Sequence, residues 1–113
     1  VDREHVTKAL ETLTPRSSPN HTIITGNGLL SLYVVQAAKA LSKRIPEDFS
    51  LIGFDETEWS EILKNPLTVV AQPTYDIGCS AAKKIITTLR KENESNEERI
   101  TLLPFSLIVR ETA

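Results

Sequence analysis

The sequence predicts an α/β domain, a parallel sheet with helices on both faces in a three-layer αβα arrangement. Two observations carry this. Segments of strand and helix character alternate along the 113 residues, and such alternation places parallel strands between crossover helices. The strand segments are also too apolar to keep one wet face. Phe49-Ser50-Leu51-Ile52-Gly53-Phe54 and Leu67-Thr68-Val69-Val70-Ala71 each run straight into a polar side chain, Asp55 and Gln72. Strands buried on both faces, with polar groups at their carboxyl ends, are how doubly wound sheets present ligand-binding residues.

The chain opens on a helix, with Val6, Ala9, Leu10 and Leu13 at helical spacing, Asp2 as N-cap and Glu4 in the first turn. Pro15-Arg16-Ser17-Ser18-Pro19-Asn20 breaks it as a loop. Thr22-Ile23-Ile24-Thr25 is β-branched throughout and reads as a buried strand. Asn27-Gly28 is a hairpin signal that would make Leu29 to Val35 a returning strand. Length, three alanines and the ending Lys43-Arg44 before Pro46 instead make Leu29 to Arg44 a helix. Its broad apolar face holds Leu29, Leu30, Tyr33, Val34, Ala37, Ala38, Ala40 and Leu41. Ser31, Gln36, Lys39, Ser42 and Lys43 fill the opposite face, and Leu32 and Val35 interrupt it. Those two are either scattered surface residues or part of a partner surface.

The strand ending at Phe54 leads into a short expected helix, Glu56 to Lys64, which clusters Trp59, Ile62 and Leu63 before Asn65-Pro66 stops it. After the strand Leu67 to Ala71, Thr74 caps a helix to Lys91 with the apolar arc Tyr75, Ile77, Cys79, Ala81, Ala82, Ile85, Ile86 and Leu89. Cys79 thus reads as a core thiol. Glu92 to Arg99 is a charged loop. Leu102 to Arg110 is a last strand, with Pro104 marking an edge or a strand start.

Composition bounds the function. The length is that of one domain, and 40% hydrophobic with 25% charged residues is ordinary for a soluble globular chain. A net charge of −2 without a basic block gives no nucleic-acid footprint. There is no membrane-spanning run and no signal-peptide pattern, and the single Cys79 excludes an internal disulfide framework. The absence of methionine and the opening on a helix lead us to expect a piece of a longer protein.

Asn27, Asp55 and Gln72 stand just beyond three successive strands, on the ligand-binding edge of a parallel sheet. Asp accepts hydrogen bonds only, whereas Asn and Gln donate and accept, a set suited to sugar hydroxyls or purine edges. From spacing alone, capping of the helices that follow accounts for Asn27 and Asp55 at least as well. No catalytic residues, metal ligands or cofactor are indicated. There is no nucleophile elbow, phosphate-loop lysine or histidine pair, and Gly26-Asn27-Gly28 meets Ser31 where a dinucleotide loop needs its third glycine.

Together these residues resemble a known family. Thr22-Ile23-Ile24-Thr25-Gly26-Asn27, Ile45-Pro46-Glu47-Asp48-Phe49-Ser50-Leu51-Ile52-Gly53-Phe54-Asp55-Glu56 and Pro66-Leu67-Thr68-Val69-Val70-Ala71-Gln72-Pro73 occur in order. Gly78 with Ala81-Ala82, then Leu103-Pro104 with Val109-Arg110, complete the pattern. Their order and spacing are similar to those of LacI/GalR transcription factors. The resemblance implies a cytoplasmic bacterial regulator whose two-lobed core is like a periplasmic binding protein. The chain would be an incomplete C-terminal lobe, with the helix from Thr74 to Lys91 crossing to the N-terminal lobe. A helix-turn-helix domain outside this chain would bind operator DNA.

The resemblance also assigns roles. Asn27, Asp55 and Gln72 would contact a small-molecule effector such as a sugar, sugar phosphate or purine. Leu32, Val35, Gln36, Trp59 and Leu63 would form a homodimer interface. Two positions depart from the pattern. Val1 replaces a frequent aromatic stacking residue, and Gly28 replaces the usual Asp after the Asn, which implies an atypical or weakened site. The alternative is a sugar-binding protein of a transport system with the same fold. An enzyme is a third reading, and it would need catalytic groups from elsewhere.

Overall fold

The computed structural model describes residues 2–14, 21–90 and 100–113. The loop 15–20, the charged loop 92–99 and Val1 lie outside them. The elements are α1 (Arg3–Leu13), β1 (Thr22–Ile24), α2 (Gly28–Ala40), β2 (Ser50–Phe54), β3 (Thr68–Ala71), α3 (Thr74–Arg90) and β4 (Ser106–Ile108). They fall into two compact units, Val1–Ala71 with Leu107–Ala113, and Gln72–Ser106.

The first unit contains the expected sheet, in the order β1-β2-β3-β4. β1 and β2 are parallel, with Ile23 opposite Leu51, and β2 and β3 are parallel, with Gly53 opposite Val69. The core is Val6, Leu10, Val34, Ala37, Ala38, Phe49, Leu51, Leu67 and Val69, so α1, α2 and the two central strands share one apolar interior. Burying such side chains is the main favourable term, about 1.5–3 kcal/mol for each large one.

α1 starts where Asp2 Oδ1 accepts the His5 backbone N–H at 3.0 Å. That bond, with the His5 side chain, holds the Asp2 carboxyl below its usual range. The cap therefore contributes above the ordinary carboxylate range and fades as pH falls through the lowered value. At the far end, Lys43 Nζ donates to the Thr14 carbonyl at 2.6 Å and ties α1 to the segment that follows α2.

α2 ends four residues before Arg44, where the sequence placed its stop. Ser42 adopts a left-handed φ of 53°. Lys43 N–H then reaches the Ala38 carbonyl at 2.8 Å and Ser42 N–H reaches Lys39 at 3.2 Å. This is a Schellman closure with serine in the usual glycine position.

Ser31 departs further from expectation. Placed on the polar face of the wheel, it is 1% exposed. Its Oγ lies 2.6 Å from Thr25 Oγ1 and donates to the Asn27 carbonyl at 3.1 Å. The reason is the opposing strand. A Cβ on Gly53 would stand 2.8 Å from Leu67 Cδ2, 3.1 Å from Ser31 Oγ and 3.2 Å from Val69 Cγ1. Two small residues let α2 lie close on β2, and a hydroxyl pair replaces the apolar contact.

The final strand is shorter than Leu102 to Arg110. Only Ser106–Ile108 is extended and paired. Pro104 has no N–H to give, and Arg110 spends its backbone on a side chain. Its N–H donates to Thr68 Oγ1 at 2.9 Å, and its carbonyl accepts from the same hydroxyl at 3.2 Å. Thr112, 2% exposed, then bridges the two central strands. Its Oγ1 donates to the Leu51 carbonyl and accepts the Thr68 N–H, both at 2.8 Å.

In the second unit α3 runs from Thr74 to Arg90 and buries no residue; the sequence placed its end at Lys91, which lies outside the described residues. Its expected core arc is exposed at Tyr75, Ile77, Ile85, Ile86 and Leu89, while Cys79 is half-buried. The periodicity identified the helix correctly. Among the described residues, the unit supplies no second packed element to cover its apolar face.

Gly53→Ala should lower stability by about 1–3 kcal/mol through overpacking. The change is expected as a lower urea midpoint with an unchanged slope; an unaltered midpoint would mean that α2 and β2 do not approach closely.

Candidate functional site

Parallel pairing puts the carboxyl ends of β1 and β2 side by side, and each continues into a turn carrying a candidate ligand residue. The β1–α2 turn is fixed by its own hydrogen bonds. Asn27 is extended and caps α2, its Oδ1 accepting the Leu30 N–H at 2.9 Å. The capping reading of Asn27 is therefore correct, and it does not exhaust the side chain. The residue is exposed, and its amide can donate outward while the carbonyl caps.

Asp55 is different. No α-helix follows it, so it caps none. It adopts a left-handed φ of 73°, a conformation that Asp tolerates better than most residues. Its N–H donates to the Val70 carbonyl at 2.9 Å, which prolongs the β2–β3 pairing by one residue. The twist at Asp55 thus begins where the ladder ends.

The two turns touch. A Cβ on Gly28 would stand 3.0 Å from Thr57 Cγ2, so the absence of a side chain at 28 lets the Asn27 turn close against the turn after Asp55. That is a local steric reason for glycine at a position where the resemblance leads one to expect Asp. Thr57 Oγ1 is buried there without a protein hydrogen bond. Gln72 belongs to the second unit, and its carbonyl accepts the Thr74 N–H at 2.9 Å at the start of α3.

The expected helix from Glu56 to Lys64 is a series of turns at residues 58–62. Its ladder is diverted at Ser60. The Ser60 carbonyl, which a helix would pair with residue 64, instead accepts the Leu67 N–H at 2.9 Å. The Ser60 hydroxyl is shared between Glu56 Oε1 at 2.5 Å and the Thr57 carbonyl at 2.6 Å. Trp59 and Leu63 are both half-buried against the core, whereas Ile62, expected beside them, is 82% exposed. On α2, Leu32 and Gln36 are half-buried, and Val35 packs against the core.

Sequence reasoning missed Arg110 as a residue of this region. Its guanidinium donates to Glu56 Oε2 at 3.1 Å, to Glu61 Oε1 at 2.9 Å and to the Leu67 carbonyl at 2.9 Å. The pairs span about half the chain, so no local spacing could reveal them. Among the described residues, no group of His, Cys, Asp and Glu side chains is arranged to hold a metal ion. No described helix is long and apolar enough to cross a membrane.

A family model, the periplasmic binding protein-like domain, matches residues 1–113. The HTH-type transcriptional regulator KdgR of Bacillus subtilis is 31% identical over 90 residues, 80% of this chain and 26% of that protein. The HTH-type transcriptional repressor CytR of Escherichia coli is 29% identical over 103 residues, 91% and 30% of the two chains. The chain thus spans about a quarter to a third of the length of these relatives.

Among solved structures, a LacI transcriptional regulator from Bacillus cereus subsp. cytotoxis aligns with a TM-score of 0.82 at 29% identity, over 99% of this chain and 39% of that one. A LacI family regulator from Enterococcus faecium with bound ribose gives 0.80 at 24% identity, over 98% and 40%. The lac repressor dimer bound to operator and an anti-inducer gives 0.76 at 24% identity, over 96% and 31%. The chain belongs to the periplasmic binding protein-like domain family, in its LacI/GalR form.

Proposed function

We propose that this chain is the effector-binding and dimerisation portion of a LacI/GalR-type bacterial transcriptional regulator that acts in the cytoplasm. One observation carries the proposal. Two touching turns at the carboxyl edge of a parallel sheet hold an exposed amide, Asn27, and an acceptor-only carboxylate, Asp55, in a chain of this family. Gln72, which follows β3 directly in sequence, is the third residue that the family pattern proposes for effector contact. An amide donor beside a carboxylate acceptor suits adjacent hydroxyls, so a sugar is the effector class proposed, consistent with the ribose held by the Enterococcus faecium regulator.

The curated relatives are transcriptional regulators, which favours this reading over a transport-system sugar-binding protein. The exposed apolar face of α3 would pack against the other lobe of the full-length protein. Effector held between the lobes would select one lobe arrangement and shift operator affinity through a helix-turn-helix domain. Leu32, Val35, Gln36, Trp59 and Leu63 form the proposed two-fold contact, with Trp59 as its aromatic anchor.

Asp55→Asn is the informative variant, because Asn tolerates the left-handed backbone that would strain Ala. In the full-length protein, a thermal-shift panel of sugars, sugar phosphates and purines should identify a stabilising compound. Asp55→Asn should remove most of that shift and leave the unliganded Tm within about 2 °C, as for a substitution that keeps side-chain size and backbone preference. A retained shift would take Asp55 out of the site. Leu32→Ala with Trp59→Ala should move the protein toward monomer in sedimentation; an unchanged dimer would refute the interface.

A further inference from the structure

Arg110 joins Glu56 and Glu61, in the turn between Asp55 and Leu63, to the Leu67 carbonyl just before β3. Its side chain is only 15% exposed, against 34% for Glu56 and 70% for Glu61. Glu56 follows Asp55 directly. Its second oxygen accepts from Ser60, the residue after Trp59 and itself 0% exposed. The chain of contacts therefore runs from Asp55 through Glu56 to Ser60 and Trp59, with the guanidinium bonded to Glu56, Glu61 and the Leu67 carbonyl.

Within the turn the Ser60 N–H donates to the Thr57 carbonyl at 3.0 Å, and the side-chain bonds of Glu56, Glu61 and Arg110 add to that single turn bond. The Arg110 backbone is in turn fixed by the Thr68 hydroxyl at the start of β3. An exposed ion pair contributes little. A mostly buried guanidinium with three acceptors differs, because its removal strands a carboxylate and a carbonyl in a partly dry setting. Only the planar fork can serve all three at once; a lysine ammonium keeps the charge and loses that geometry.

We propose that Arg110 is a positioning residue that locks Asp55 and Trp59 into one rigid turn, so that the ligand carboxylate and the subunit face respond together. The functional part rests on the site reading above; the lock itself does not. Hydrogen exchange on the full-length protein separates the two.

Arg110→Met should speed exchange of the 55–63 peptide about ten-fold or more, while α2 and β2 peptides stay within about two-fold. Arg110→Lys should fall between, Glu56→Gln should approach Arg110→Met, and Glu61→Gln should differ little from the unaltered protein. Unchanged exchange at 55–63, or an equal rise in every peptide, would overturn the lock. The same variants are then titrated with ribose by thermal shift. Weakening of about ten-fold in Arg110→Met, partly restored in Arg110→Lys, supports positioning of Asp55, and unaltered ribose affinity with loosened exchange overturns it. If ribose does not shift the unaltered protein, ribose is not its effector, and exchange alone decides the lock.

Discussion

The close approach of α2 to β2 is the constraint on which the first unit depends. At Gly53 there is no room for a Cβ among Leu67, Val69 and Ser31. The gap is closed by a glycine on the strand and a serine on the helix, because larger apolar residues would hold the layers apart. The Ser31 hydroxyl then reaches Thr25 at the end of β1 and the Asn27 carbonyl at the head of α2. Helix, strand end and turn are thereby fixed in one step, and the turn is the one that carries a candidate ligand residue. A single tight contact sets both the spacing of the layers and the position of the Asn27 amide.

The carboxyl edge of β2 is set from the opposite direction, by the end of the chain. After β4 the backbone turns across the first residues of β3, where Arg110 and Thr112 satisfy main-chain groups that the ladder does not use. Buried backbone groups must find partners, and here hydroxyls from Thr68 and Thr112 provide them. The result is a strap that ties the last residues to β2 and β3 and delivers a guanidinium to the turn after Asp55. Residues far apart in sequence thus share the work of shaping one loop.

Much of this was legible beforehand because it is local. Asp2 and Asn27 cap the helices that follow them, and alternation with apolar strands foretold parallel pairing. The stop of α2 was misplaced because lysine, arginine and proline mark where a helix can end, whereas the left-handed Ser42 closure decided where it did. The turn at 58–62 was misread as helix for a similar reason. Its residues tolerate a helix, but the partners of Ser60 and Glu56 lie near β3 and after β4. In α3 the periodicity was right and the burial was not, since a wheel shows which face is apolar and not what covers it.

By itself the sequence determined the order of elements, the parallel sheet, the polar residues beyond the strand ends and the family pattern. These depend on propensity, periodicity and short motifs, which act over a few residues. The tertiary structure alone decided that Ser31 is buried, that Gly28 lets two turns touch, and that Asp55 is a twisted strand end rather than a helix cap. It also decided that Arg110 belongs to the turn beside Asp55. Each of these depends on atoms brought within about 3 Å by packing between segments distant in sequence. Hydrogen bonds and steric contacts at that range are invisible to any local reading of the chain.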